Sequence, residues 1–173
     1  MSIDILTEYP VFKQDIEDSF KDLIKEFEVK LLELHRGCYL LEGEKCSIRF
    51  TYDRGDVSCH FKQPSEYKDS PGYNVWAVSK FLYSTKESSK IIFDARSQLF
   101  EYLDIIQSKL KNVLRGDFSW LTDFTKEKER ENKILDFVLG LDNDNLIKKK
   151  FWKGDLSWQE DIDRYLNENN IKL

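Results

Sequence analysis

From Pro10 onward the apolar residues Val11, Phe12, Ile16, Phe20, Leu23, Ile24 and Phe27 recur every three or four positions, with Lys13, Gln14, Asp15, Glu17, Asp18, Lys21 and Asp22 between them. That period lines one side of a helix, so an amphipathic helix of about five turns is predicted, with Pro10 in its first turn, where a missing N–H costs nothing. From Val29 the period changes to two. Cys46, Ile48, Phe50 and Tyr52 alternate with Ser47, Arg49, Thr51 and Asp53, and after Arg54-Gly55 the residues Val57, Cys59 and Phe61 alternate with Ser58, His60 and Lys62. Two alternating runs joined through a glycine turn predict a hairpin. Pairing Tyr52 with Val57 puts Phe50 opposite Cys59 and Ile48 opposite Phe61 on one face, and leaves Arg49 and His60 together on the other. Val29 to Glu42, punctuated at Gly37, adds one or two strands, and the resulting meander has one face to bury, with the first helix as its cover.

Gln63 to Tyr73, with Pro64, Pro71 and Gly72, reads as a loop, and Val75, Trp76, Val78, Phe81 and Leu82 as a short helix or a further strand. Thr85 to Lys90 is a polar connector. Asp94 to Leu114 is the longest helical pattern, with Leu99, Phe100, Leu103, Ile106, Leu110, Val113 and Leu114 as its stripe and Gly116 as its left-handed stop. Trp120, Leu121 and Phe124 open another helix; Lys126 to Lys133 is a solvated helical face or an exposed loop; Ile134, Leu135, Phe137, Val138 and Leu141 restore the apolar pattern before an Asp/Asn cluster. Ser157-Trp158-Gln159-Glu160 has the capping-box form of a last helix, whose buried side is Trp158, Ile162, Tyr165 and Leu166. The segment Arg115-Gly116-Asp117-Phe118-Ser119-Trp120 is echoed by Lys153-Gly154-Asp155-Leu156-Ser157-Trp158, which shared capping chemistry explains without a repeat. The fold expected is one α+β domain over residues 1–173. An antiparallel meander of three to five strands packs against the N-terminal helix and the long central helix. Residues 1–92 hold helix plus meander, and 93–173 the helical portion.

Composition supports a core without staples: 173 residues, 40% hydrophobic and 14% aromatic, in a chain long enough to bury roughly 70% of its unfolded surface. A net charge of −5 runs against general nucleic-acid binding, which needs concentrated positive charge, and suits a basic protein partner. Met1-Ser2-Ile3-Asp4 lacks the basic and apolar regions of a signal peptide, and no run is long and apolar enough to span a membrane, so a cytoplasmic chain is expected. Cys38, Cys46 and Cys59 are odd in number and are read as reduced core thiols.

Candidate chemistry is sparse. There is no glycine-rich phosphate loop, and Asp142-Asn143-Asp144-Asn145 begins like a calcium loop but continues with Leu146 and Ile147 and has Lys153 where a bidentate Glu belongs. His35, His60 and the cysteines lack the paired spacing of a zinc site, and adjacent Cys59 and His60 point to opposite faces of a strand. No metal or cofactor is therefore expected. The candidate binding residues are Arg49 with His60 on the strand pair, and Lys148, Lys149, Lys150 and Trp152 in the basic, aromatic run Lys148-Lys149-Lys150-Phe151-Trp152-Lys153. Such a run can hold phosphates and stack a base, or be a helix end whose lysines complement the dipole.

The order of elements, a helix, a meander closing on Tyr52-Asp53-Arg54-Gly55-Asp56, a short apolar segment, a long helix and then Leu114-Arg115-Gly116-Asp117-Phe118-Ser119-Trp120, resembles immunity proteins of bacterial polymorphic-toxin systems and related uncharacterised bacterial families. The resemblance covers residues 10–125 and transfers no functional residue. It implies an α+β cytoplasmic protein that neutralises a toxin domain by direct binding, without catalysis. Two other classes stay open: a small enzyme with carboxylate or thiol chemistry, and a nucleic-acid-associated protein using Lys148 to Trp152.

Overall fold

The computed structural model describes residues 5–68, 70–83 and 94–172. The alternating runs form a five-stranded antiparallel meander in the order β1-β2-β3-β4-β5: β1 Lys30–His35, β2 Cys38–Glu42, β3 Ser47–Asp53, β4 Asp56–Lys62 and β5 Tyr73–Asn74. The central register is the expected one, with Tyr52 opposite Val57, Phe50 opposite Cys59, Ile48 opposite Phe61 and Arg49 opposite His60. The β3–β4 turn has positive φ at both Arg54 (51°) and Gly55 (94°), the handedness that matches the twist of the strands it joins.

Eight helices accompany the sheet among the described residues: α1 Ile5–Ser19, α2 Lys21–Glu26, α3 Val75–Tyr83, α4 Ala95–Ser108, α5 Lys111–Leu114, α6 Leu121–Gly140, α7 Leu146–Trp152 and α8 Trp158–Glu168. The fold is α+β. It groups into two compact units, Met1–Ser119 and Trp120–Leu173.

In the first unit α1 covers β2 and β3. Phe12 stacks on Tyr52 at 5.0 Å between centroids, and Phe20 meets Phe50 edge-on at 4.9 Å. Phe12, Ile16, Phe20 and Phe50 are at most 2% exposed, and each fully buried side chain of this kind contributes about 1.5–3 kcal/mol. The first helix differs from expectation in two respects. It begins at Ile5, which leaves Pro10 inside it, and it breaks at Phe20 before α2; Val11, about 100° round the helix from Phe12, faces outward at 60% exposure in place of joining the buried stripe. Only about one turn precedes Pro10, so the proline forfeits a single backbone bond.

α4 covers β4. The Gln98 side chain accepts from the Val57 N–H and donates to the Gly55 carbonyl, each at 2.8 Å, while the Tyr102 hydroxyl donates to the Val57 carbonyl at 3.0 Å. The long pattern from Asp94 is interrupted at Lys109 and Leu110, and the Asp94 carboxylate caps its start by accepting from the Ser97 N–H at 2.8 Å. Between β5 and α4, Asn74 accepts from the Ala77 N–H at 3.1 Å, so Val75 to Tyr83 is a helix. The polar connector Thr85 to Lys90 lies outside the described residues.

β2 departs from simple alternation. Cys38, Tyr39, Leu40 and Leu41 are all 2% exposed or less, so this strand is buried on both sides. On the side away from α1, the segment following β4 folds back over the sheet, fastened by Arg49 and Lys62.

The second unit closes on Val138, Ile147, Ile162 and Leu166, with Ile134, Phe137, Trp158 and Tyr165 packed around them. Lys126 to Lys133 continues α6 as a solvated helical face. The echoed segments share one backbone device. Gly116 and Gly154 have φ of 91° and 70°, and the next N–H, of Asp117 or Asp155, donates to the carbonyl five residues back, Asn112 or Lys150, at 3.0 Å in each case. The aspartate then accepts from the N–H two residues on, Ser119 at 3.1 Å and Ser157 at 3.0 Å. The expected capping box at Ser157 is thereby corrected. Ser157 has helical φ and ψ of −63° and −15° and makes no side-chain cap, because Asp155 already holds its amide.

Candidate functional site

Arg49 and His60 lie side by side on the face of the sheet away from α1, as the alternation requires. The Arg49 guanidinium donates from Nη1 to the Ser70 carbonyl at 2.8 Å and from Nε to the Cys38 sulfur at 3.1 Å. Lys62, on the same face, is 2% exposed; its ammonium donates to the Tyr67 carbonyl and, at 2.5 Å, to the Lys68 carbonyl. Both cations therefore hold the 63–72 segment onto the sheet. His60 is half-buried, and burial first, then the neighbouring Arg49 charge, pulls its pKa below the ordinary 6.5, which favours the neutral ring.

The thiols sit deep in the first unit. Cys38, Cys46 and Cys59 are free and at most 3% exposed. Burial pushes the Cys46 pKa up to about 12 and raises that of Cys59 well above its usual value, so these two are protonated and poor nucleophiles at neutral pH. Among the described residues, no three His, Cys, Asp or Glu side chains gather as a metal site requires, and no helix is long and apolar enough to cross a membrane.

The basic run falls on α7, in the second unit. Lys148 Nζ donates to the carbonyls of Leu139 and Leu141 at 2.8 and 2.7 Å, satisfying acceptors at the end of α6. Lys149 meets Asp144 at 3.1 Å and Lys150 meets Asp161 at 2.5 Å, so the ammonium groups are engaged by the unit's own oxygens. Trp152 is turned largely outward, at 68% exposure, with its ring edge-on to Phe151 at 5.3 Å. The structure thus brings Arg49 and His60 together and gathers Lys148, Lys149, Lys150 and Trp152 on one short helix.

A third surface emerges only from the packing. Between α3 and α4 runs a groove of about 500 Å³, lined by Trp76 from α3, by Ser97, Phe100, Glu101, Asp104, Ile105 and Ser108 from α4, and by Lys109. The α4 residues recur every three or four positions and form the side that neither the sheet nor α1 uses. Phe100 belongs to the expected core stripe but is 49% exposed, whereas Leu99, Tyr102, Ile105 and Ile106 are buried. At 100° per residue, Phe100 is rotated roughly 120° from Ile106, a phase difference already readable in the sequence. Trp76 stands edge-on to Tyr102 at 6.1 Å, and the Arg96 guanidinium lies over the Phe100 ring at 5.9 Å. At the far end the Tyr83 hydroxyl donates to the Lys109 carbonyl at 2.5 Å and ties α3 to the end of α4.

Neither protein-family models, nor curated proteins, nor solved structures contain a match to this chain.

Proposed function

We propose that this chain is a protein-binding module that acts by direct association and without catalysis, and that its partner is a toxin domain it neutralises in a bacterial cytoplasm. The observation that carries the first part is the groove of the first unit, where Trp76 and Phe100 stand beside Glu101 and Asp104. Aromatic anchors ringed by polar groups are the composition in which interface energy concentrates. The second part rests on the resemblance that the order of elements in the sequence bears to immunity proteins.

The competing chemistries have less support. A thiol enzyme needs a thiolate within reach of a base, and burial keeps Cys46 and Cys59 protonated. A phosphate-binding patch needs several ammonium groups directed at solvent; those of Lys148 and Lys150 are directed at Leu139, Leu141 and Asp161, which leaves Lys149, in an exposed pair with Asp144, as the one facing water.

The deciding experiment is co-expression with candidate toxin domains encoded beside the gene. The expected result is rescue of growth together with a purified complex of sub-micromolar Kd. The absence of both rescue and a complex with every neighbouring product would reject the proposal, and retention on heparin at moderate salt, lost in Lys148→Glu/Lys149→Glu/Lys150→Glu, would replace it with nucleic-acid binding.

A further inference from the structure

The groove between α3 and α4 carries more than a place of contact, because its chemistry selects what can enter. Its walls combine two π faces, Trp76 and Phe100, with two carboxylates, Glu101 and Asp104, one helical turn apart along α4. A π face attracts a cation through its quadrupole, and a neighbouring carboxylate adds a charge-assisted acceptor. An arginine side chain satisfies both at once, since its planar guanidinium stacks on a ring while its edge N–H groups reach a carboxylate. The chain's own Arg96 guanidinium already takes such a position over Phe100, 5.9 Å from the ring centre, so an incoming guanidinium has the Trp76 ring and the part of Phe100 that stays open, the residue being 49% exposed. Lys109 sits at one end of the groove and leaves the acidic character to the middle. A volume of about 500 Å³ exceeds what one side chain fills, and the Tyr83–Lys109 hydrogen bond holds the two helices together at that end, so the groove exists before a partner arrives.

We infer that this groove is the docking site for an arginine-bearing basic segment of the protein partner, seated between Trp76 and Phe100 with its guanidinium groups on Glu101 and Asp104. The inference rests on the protein-binding reading above and specifies the partner chemistry at that site. Charge complementarity with an acidic chain of net −5 points the same way, because it speeds encounter with a basic partner.

The test titrates the full-length protein, labelled with ¹⁵N, with short capped Gly/Arg, Gly/Lys and Gly/Glu peptides and with free L-arginine. The Gly/Arg peptide is expected to give saturable shifts at the Trp76 indole N–H and at the amides of α4 from Ser97 to Ser108, weakening as salt rises. Phe100→Ala and the isosteric pair Glu101→Gln/Asp104→Asn, each checked for native circular dichroism, should weaken it about tenfold or more. A Gly/Glu peptide binding as tightly, free arginine binding as tightly as the peptide, or shifts confined to other surfaces would each overturn the inference, the second by making the groove a small-molecule site. The same variants tested in co-expression separate the two claims. A toxin-domain complex that survives both variants keeps the protein-binding reading and removes the groove from it, whereas peptide binding without any such complex keeps the groove chemistry and removes the toxin partner.

Discussion

Replacing Lys62 with methionine tests how the segment following β4 is held. Lys62 ends β4, is 2% exposed, and directs its ammonium at the Tyr67 and Lys68 carbonyls. A hydrogen bond with a charged donor is worth about 1.5–3 kcal/mol. Two are lost in Lys62→Met, about 3–6 kcal/mol in all, while the aliphatic stem is retained. Against that, the variant no longer buries an ammonium, a penalty of several kcal/mol that the two carbonyls offset in the native protein. The freed carbonyls belong to Tyr67 and Lys68, both exposed residues that water can reach, so little is added for orphaned acceptors. The balance is a destabilisation of about 1–3 kcal/mol. It should concentrate locally, because the ammonium binds this segment and not the sheet interior. Hydrogen exchange is the assay. The Glu66 and Ser70 amides, which donate to Gln63 and Tyr67 at 3.1 and 3.0 Å, should exchange roughly 5- to 150-fold faster, with β3 and β4 much less affected. Unchanged exchange at both amides with a urea-unfolding loss under about 0.5 kcal/mol would refute the view that Lys62 fastens the segment.

Two glycines with similar φ should respond differently to alanine. At Gly72 (φ 74°) a Cβ would stand 2.4 Å from the Phe61 carbonyl oxygen, so Gly72→Ala combines left-handed strain with displaced backbone and should cost at least about 3 kcal/mol; at Gly154 (φ 70°) nothing lies within 4 Å, and Gly154→Ala should cost about 1 kcal/mol by chemical denaturation. His60, whose folded pKa lies below its unfolded value of 6.5, takes up its proton more readily when unfolded. Its effect is absent well above pH 6.5, destabilises progressively as pH falls from there to the folded pKa, and is constant below that; His60→Gln should flatten this part of the stability–pH profile, and an unchanged profile would count against the assignment. The three thiols, all at most 3% exposed, should react with an aromatic disulfide reagent only after unfolding, so rapid labelling of the native protein would contradict their burial.

Local pattern settled those parts of the fold in which a wrong choice would expose a whole apolar face. The β3–β4 register is of this kind, since a one-residue slip would send Ile48, Phe50, Cys59 and Phe61 to the opposite side. The double burial of Leu40 and Cys38 could not be read the same way, because it depends on where long side chains far along the chain, Arg49 and Lys62, deliver their charged ends. The proximity of Arg49 and His60 was legible; that Arg49 is directed at the Ser70 carbonyl, twenty-one residues on, was not. At the last helix the Ser-x-x-Glu pattern competed with Asp155, two residues before Ser157, and the nearer acceptor prevailed. Spacing alone puts Phe100 in the core stripe, although its helical phase places it away from Ile106. The groove needed α3 beside α4, which no periodicity within either helix specifies.

The fastening of the 63–72 segment has a consequence for how the protein meets salt. Its donors are charged but its acceptors are neutral amide oxygens, and Lys62 is 2% exposed, so dissolved ions reach this attachment poorly. Contacts between two exposed charges, such as Lys68 with Glu42 at 2.6 Å, weaken as ionic strength rises. Added salt therefore sorts the molecule's polar attachments by burial: bridges at the surface fade first, while the clasp across the outer sheet persists until the strands beneath it separate.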